Sequence, residues 1–343
     1  MWKLSRRFSS QSYCEVKFKG FMAEHQYLPH EKQIQEYIKS IEHVKKQSDD
    51  NPLVRTELLR LERKLEALKQ KVYSELTPWD RVLISRHPKR PHTSDYIRAI
   101  TTDFFELHGD RTIGDDRAVI GGLAKIDAMP FVLIGQEKGA NTEERVACNF
   151  GMVSPEGFRK ALRLMGIAEQ LHLPILILLD TPGAYPGLEA EQRGQGLVIA
   201  EAIQKMFSIK TQIIILIIGE GCSGGALGMG VGDVVAMLEH AYYSVISPEG
   251  CASILWKDAG KKQEAANALK LNAENLLALN IVDEVISEPL GGAHYDPDSM
   301  FLKVKTFVTG KARALQHIPV HILLEQRYAK FRRLGVTSDS PLL

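Results

Sequence analysis

Two glycine-rich breaks hold the residues of this chain best suited to chemistry. Asp180-Thr181-Pro182-Gly183-Ala184-Tyr185-Pro186-Gly187 follows the aliphatic run 174–179, and Gly219-Glu220-Gly221-Cys222-Ser223-Gly224-Gly225-Ala226 follows the run 213–218. Each places bare backbone at the carboxyl end of a buried strand. Glycines there let the chain approach a reacting carbonyl closely and adopt positive φ, and a helix starting at the break adds its dipole to free amides. The chemistry this suits is stabilisation of an oxyanion by main-chain N–H groups.

The same segments admit three other readings. Gly219, Gly221 and Gly224 satisfy the dinucleotide-binding spacing, with Glu239 at about the right remove to hold a ribose. Against it, Gly228, Gly230 and Gly232 interrupt the helix that should follow, and the first break is left without a task. Gly221-Cys222-Ser223-Gly224-Gly225 also satisfies the nucleophile-elbow pattern of serine hydrolases, with His240 and His294 downstream as bases, but nothing singles out a triad acid. Leu179-Asp180-Thr181-Pro182-Gly183 mimics the magnesium turn of GTPases in a chain with no phosphate-binding P-loop.

Elements able to position the breaks are legible on either side. Apolar residues Ile34, Tyr37, Ile38, Ile41 and Val44 share one helical face. Residues 48–52 end that helix, and Leu58, Leu61, Leu65, Leu68 and Val72 mark a second, so the pair is expected to form an antiparallel helical hairpin that packs on the main domain and braces a subunit contact. Prolines 88 and 91 sit in a polar stretch that looks like the boundary with the main domain. Segments 118–126 and 131–135 read as a β-hairpin around Asp127-Ala128-Met129. Helices are expected at 155–171, 192–206 and 263–279, and strands at 174–179, 213–218, 234–238 and 243–246. Near-continuous aliphatic strands alternating with helices imply an α/β domain whose sheet is buried on both faces.

Composition narrows the field. The 343 residues are 44% hydrophobic and 25% charged, with a formal net charge of +1, so no global charge points to nucleic acid or an anionic membrane. Four widely spaced cysteines include no zinc spacing and suit a reducing compartment. The apolar runs are too short to span a bilayer. Residues 1–10 are basic and serine-rich, which reads either as a transit peptide or as a disordered leader ahead of a start near Met22.

Asn149-Phe150-Gly151-Met152, the run 155–164 beginning Pro155-Glu156-Gly157-Phe158, both glycine-rich breaks, and the run 244–257 containing Ser247-Pro248-Glu249-Gly250 occur in that order. Together they resemble the carboxyltransferase α subunit of multi-subunit acetyl-CoA carboxylase of the bacterial or plastid type. The resemblance extends over residues 76–295 and more loosely through the helical hairpin, while residues 1–21 match nothing expected of the family.

The resemblance implies a crotonase-like α/β fold of repeated ββα units at 79–343 with C-terminal helices, a helical hairpin at 22–78 and a leader at 1–21. It also implies transfer of a carboxyl group from carboxybiotin, borne by the biotin carboxyl carrier protein, to acetyl-CoA, giving malonyl-CoA for fatty acid synthesis. The expected partners are a β subunit of the same fold in an α2β2 assembly, the carrier and biotin carboxylase, with no nucleic acid and no membrane. Zinc and much of the CoA site would lie on the β subunit. The cytoplasm is the expected compartment, or an organelle stroma if the leader is a transit peptide. By analogy with the family, backbone N–H groups at Gly224 and Gly225 form the biotin-side oxyanion hole, so that no side-chain base is required. Gly183, Ala184, Tyr185, Pro186 and Gly187 line the opposite wall, and Gly221 and Ser223 belong to the tight turn of the pocket. Ser247, Pro248, Glu249 and Gly250 either close the biotin pocket or meet the partner. Lys138, Arg159 and Lys160 read either as contacts for an anionic carrier or CoA, or as solvated surface charge.

Overall fold

Strands without a polar face need cover on both sides, and that requirement organises the molecule. The computed structural model describes residues 27–47 and 52–335. Its strands are β1 (Thr102–Glu106), β2 (Val119–Ile126), β3 (Met129–Gln136), β4 (Ile175–Thr181), β5 (Ile213–Cys222), β6 (Val234–Leu238), β7 (Tyr242–Ser244) and β8 (Glu284–Ile286). They form one eight-stranded sheet in the order β1-β2-β3-β4-β5-β6-β8, with β7 pairing on the end of β5. The first three strands run antiparallel, and from β3 onward the pairs are parallel.

Every residue of β4 and β5 is buried, as expected for parallel strands covered on both faces. The helices Pro155–Leu171 and Gln195–Ser208 contribute Phe158, Leu164, Met165, Val198 and Met206 to the same core as Ile175–Leu179 and Ile213–Ile218. The β2–β3 hairpin turns on Asp127 and Ala128, both left-handed at φ 48° and 63°, the arrangement that matches the twist of the flanking strands.

Three sequence expectations are corrected in detail. The helix expected at 263–279 is two, Lys262–Leu269 and Ala273–Ala278, separated by a left-handed Lys270 at φ 49°. The break lets Leu271 enter the core and its carbonyl accept the Tyr243 N–H at 3.1 Å, so a tertiary contact overrides helix propensity. The helix expected at 192–206 begins at Gln195, after a left-handed Gly194 at φ 81°, and Leu188–Gln192 is a separate short helix before it. The last expected strand, 243–246, is Tyr242–Ser244.

The described residues fall into two separate compact units, divided between Glu75 and Leu76. In the first, helices Lys32–Gln47 and Pro52–Ser74 bury Ile34, Ile38, Ile41 and Leu65 together. The expected leader at 1–21 and most of the break between these helices lie outside the described residues.

The second unit closes with helices Pro297–Gln316 and Val320–Arg332. Arg327 on the last helix is fully buried, and all five of its N–H groups are used. Two bonds of 2.7 and 2.8 Å go to the Asp233 carboxylate, and three of 2.6 to 2.9 Å go to the carbonyls of Met206, Ile209 and Thr211. No helix among the described residues is long and apolar enough to cross a membrane.

Candidate active site

Parallel pairing puts the carboxyl ends of β3, β4 and β5 side by side, with Gly135 opposite Leu178 and Leu179 opposite Ile217. The two glycine-rich breaks leave this edge together. β5 runs four residues past Ile218, to Cys222, because Glu220, Gly221 and Cys222 pair with β7. Ser223 then turns left-handed at φ 54° and opens the short helix Ser223–Leu227, whose first amides have no carbonyl one turn back to bond.

The loops are in contact. A β-carbon on Gly225 would lie 2.4 Å from the Gly183 carbonyl carbon and 2.7 Å from the Ala184 nitrogen, so only glycine fits. Gly224 is half-buried at the mouth, with the Ile199 side chain as its nearest neighbour. Gln136, at the end of β3 and wholly buried, bridges the loops. Its Nε2 donates to Gly225 O at 2.7 Å and its Oε1 accepts the Asp180 N–H at 3.0 Å.

The first loop is held from within and from behind. Thr181 Oγ1 accepts the Gly183 N–H at 3.1 Å, and Tyr185 donates its N–H to Val153 O at 3.0 Å. Gln195 Nε2 donates to the carbonyls of Val153 and Tyr185. The Tyr185 ring covers Gly187, while Pro186 is exposed.

Beneath the loops lies a charge network that sequence reasoning did not assemble. Lys138 Nζ sits 2.6 Å from Asp180 Oδ1 and 2.7 Å from Glu220 Oε1. Asp180 Oδ1 also accepts the Glu220 N–H at 2.9 Å, in space open only because Gly219 has no side chain. Arg86 donates to Glu220 Oε2 at 2.7 Å and to Glu249 Oε1 at 2.6 Å, and the Tyr242 hydroxyl donates to Glu220 Oε2 at 2.7 Å. His92 Nδ1 stands 3.6 Å from Asp180 Oδ2. Arg86, His92, Lys138, Phe150 and Pro182 line a cavity of about 260 Å³ beside this network.

Burial alone would raise both carboxyls. Lys138, with His92 beside Asp180 and Arg86 beside Glu220, instead holds them below the usual carboxylate range, and the two acids raise Lys138 in turn. Burial and Glu220 push the Cys222 thiol up to about 11, so it is no thiolate nucleophile at neutral pH.

The remaining sequence candidates fall as follows. Gly221 is buried inside β5, packed on the Tyr243 ring. Ser247 caps the helix Pro248–Trp256 by accepting the Gly250 N–H at 3.1 Å, with Pro248 in its first turn, and Glu249 joins that helix to the charge network through Arg86. Lys138, Arg159 and Lys160 are ion-paired rather than freely solvated: half-buried Arg159 binds Asp110 and Glu156, and buried Lys160 binds Asp115 and Val119 O.

The competing readings lose their residues. Glu239 accepts the Glu288 N–H at 2.9 Å, and the glycine-rich helix is only five residues long, too short for a dinucleotide fold. His240 is buried between Arg81 and Glu288, and His294 stacks on His87 at 3.8 Å. Asp180 faces an ammonium group. Gln136, Arg86, His92 and Tyr242 were missed; the signal available was a charged residue within two positions of the carboxyl end of each of three buried strands, at 138, 180 and 220.

Solved structures share this architecture. The chain is similar to one from a Pseudomonas malonate decarboxylase hetero-tetramer in complex with coenzyme A, at TM-score 0.53 and 15% identity, over 64% of this chain and 91% of that one. It is similar also to the beta subunit of P. aeruginosa geranyl-CoA carboxylase, at TM-score 0.51 and 17% identity, over 74% of this chain and 46% of that one. At such identities the likeness is one of fold, and the fold is that of the crotonase-like carboxyltransferases.

Sequence carries the assignment further. The family described as "Acetyl co-enzyme A carboxylase carboxyltransferase-like" matches residues 27–335. A protein of Protochlamydia amoebophila (strain UWE25), named acetyl-coenzyme A carboxylase carboxyl transferase subunit alpha, is 66% identical over 308 residues, covering 90% of this chain and 98% of that protein. One of the same name from Chlamydia caviae is 56% identical over 314 residues, covering 91% and 97%. This chain belongs to the acetyl-CoA carboxylase carboxyltransferase family, among its alpha subunits.

Proposed function

We propose that the two glycine loops form the biotin side of a carboxyltransferase site, with main-chain N–H groups at Gly224 and Gly225 as its oxyanion hole. The observation that carries this reading is the backbone contact between Gly225 and Gly183-Ala184 at the mouth of a helix start. Such a site accepts an anion without a proton of its own to lose. The substrate supplies the carboxyl group: the bond from the ureido nitrogen to the carboxyl carbon breaks, and its electron pair stays on the ureido group. The ureido anion then takes a methyl proton from acetyl-CoA, and the resulting enolate carbon bonds to the released CO2. This chain's part is to hold the ureido oxygen, and loss of one fixed donor costs about 100-fold to 1000-fold in rate. Gly183, Ala184, Tyr185, Pro186 and Gly187 form the facing wall. The helix capped by Ser247 closes one side.

A β subunit completes the site, with the biotin carboxyl carrier protein delivering the substrate and biotin carboxylase charging it in an ATP-dependent step. Exposed apolar side chains on elements flanking the loops, Leu188, Leu197, Leu227, Val245, Ile254 and Leu255, support cover by another chain. Any zinc of the complex belongs, on this reading, to the β subunit. The buried free thiols Cys148, Cys222 and Cys251 support a reducing compartment such as the cytoplasm.

The test is reconstitution. Mixed with its β subunit, the chain is expected to convert malonyl-CoA and biocytin to acetyl-CoA and carboxybiocytin, and Gly225→Val is expected to assemble and not turn over. Full turnover by this chain alone, or by Gly225→Val, overturns the reading.

A further inference from the structure

We propose that Lys138 is a positioning residue of the transfer reaction: its single ammonium group clamps the ends of β4 and β5 so that the two glycine loops stay in register. The proposal rests on the loops being the site. Asp180 lies three residues before Gly183 and Glu220 four before Gly224, so each loop is tethered close to one arm of the clamp. Lys138 binds both acids at 2.6 and 2.7 Å, and Asp180 reaches across to the Glu220 N–H at 2.9 Å. Two residues earlier, at the end of β3, Gln136 joins the Asp180 N–H to Gly225 O. Thus the end of β3 and the residues just past it, which belong to neither loop, fix the spacing of both.

A purely structural brace needs no charge, since apolar side chains of similar volume often stabilise as well as a buried ion pair. The charge has a second use here. A site that must accept a developing anion is poorly served by two uncompensated carboxylates beneath it, and Lys138 cancels the field of one while sharing the other with Arg86. The other charged or titratable groups around the pair are Arg90, His92, Tyr96, Cys222, Tyr242 and Glu249, of which Arg90 is bound by Glu288 and Glu249 by Arg86.

The experiment is a charge-balanced cycle in the assembled complex with its β subunit, measured as malonyl-CoA decarboxylation with biocytin. Lys138→Met is expected to lower kcat on the order of 100-fold, the cost of about 1 Å of misplacement, with KM for malonyl-CoA little changed. Asp180→Asn keeps an oxygen for the Glu220 N–H, and the double variant Lys138→Met/Asp180→Asn is expected to return kcat to within about tenfold of wild type. The Lys138→Met deficit narrows as the pH falls, because removing the ammonium group raises the two acids towards protonation and a shared proton relieves their repulsion, and the double variant shows no such narrowing. Should Lys138→Met fail to assemble, the double variant still decides: assembly with near-normal kcat supports the clamp, and assembly without turnover overturns it. A Lys138→Met enzyme as fast as wild type overturns it as well. Gly225→Val in the same assay separates the two failures, because activity retained there sinks the site itself, whereas activity lost there beside an unrescued double variant sinks only the clamp.

Discussion

Replacing Gly225 by alanine is the smallest change that tests the site. The added methyl carbon would lie 2.4 Å from the Gly183 carbonyl carbon and 2.7 Å from both the Gly183 oxygen and the Ala184 nitrogen, all main-chain atoms with no rotamer to yield. Ordinary carbon contact begins about 1 Å further out, so the loops must part by about that much or the helix start must tilt. A shift of about 1 Å in a positioned group costs on the order of 100-fold, equivalent to about 2.7 kcal/mol of transition-state stabilisation. Gly224→Ala is the control, since its methyl would meet only the Ile199 Cδ1 at 3.3 Å, the movable end of a side chain. The assay is the biocytin-dependent reverse reaction in the reconstituted complex, with assembly followed by size-exclusion chromatography. The expected result is a kcat loss of about 100-fold for Gly225→Ala and only a few-fold for Gly224→Ala, both fully assembled. A Gly225→Ala enzyme within about threefold of wild type would show that loop contact is irrelevant to transfer.

Three further outcomes follow from buried groups. Arg327→Met strands the Asp233 carboxylate and three carbonyls, so unfolding in urea is expected to show a loss of about 3–5 kcal/mol, and an unchanged midpoint would refute the staple. Glu288 is drawn down to about 2, against the pull of burial, by Arg90 and its hydrogen bonds. A depressed carboxyl stabilises the fold above its unfolded pKa, so this contribution is full above about pH 4.3 and is lost as pH falls towards about 2; Glu288→Gln should flatten that part of the stability profile. Cys222 is buried with its thiol raised to about 11, so iodoacetamide at neutral pH should leave it unlabelled in the folded chain and label it in urea, as read by mass spectrometry.

What the sequence disclosed depended on the range of the interaction responsible. β2 to β6 were visible because their apolar runs and turn residues are local signals, and the loops were visible because glycines cluster in the chain. The extension of β5 to Cys222 was not, because Gly219-Glu220-Gly221-Cys222 reads as a loop until Tyr242–Ser244 pairs with it. The break at Lys270 serves Leu271, whose burial is set by residues far away in the chain. Likewise the members of the charge network at 86, 138, 180, 220 and 249 are ordinary charges singly. Their meaning appears only when parallel pairing sets three strand ends in line.

The Arg327 staple also bears on how the chain is made. Asp233 accepts the Ile213 N–H at 2.7 Å at the base of β5, so the central strand and the last helix share one carboxylate. During synthesis that acid emerges 94 residues before its guanidinium partner. Until the helix that carries Arg327 leaves the ribosome, the middle of the sheet holds a carboxylate without its guanidinium partner, so completion of the catalytic unit waits on that helix.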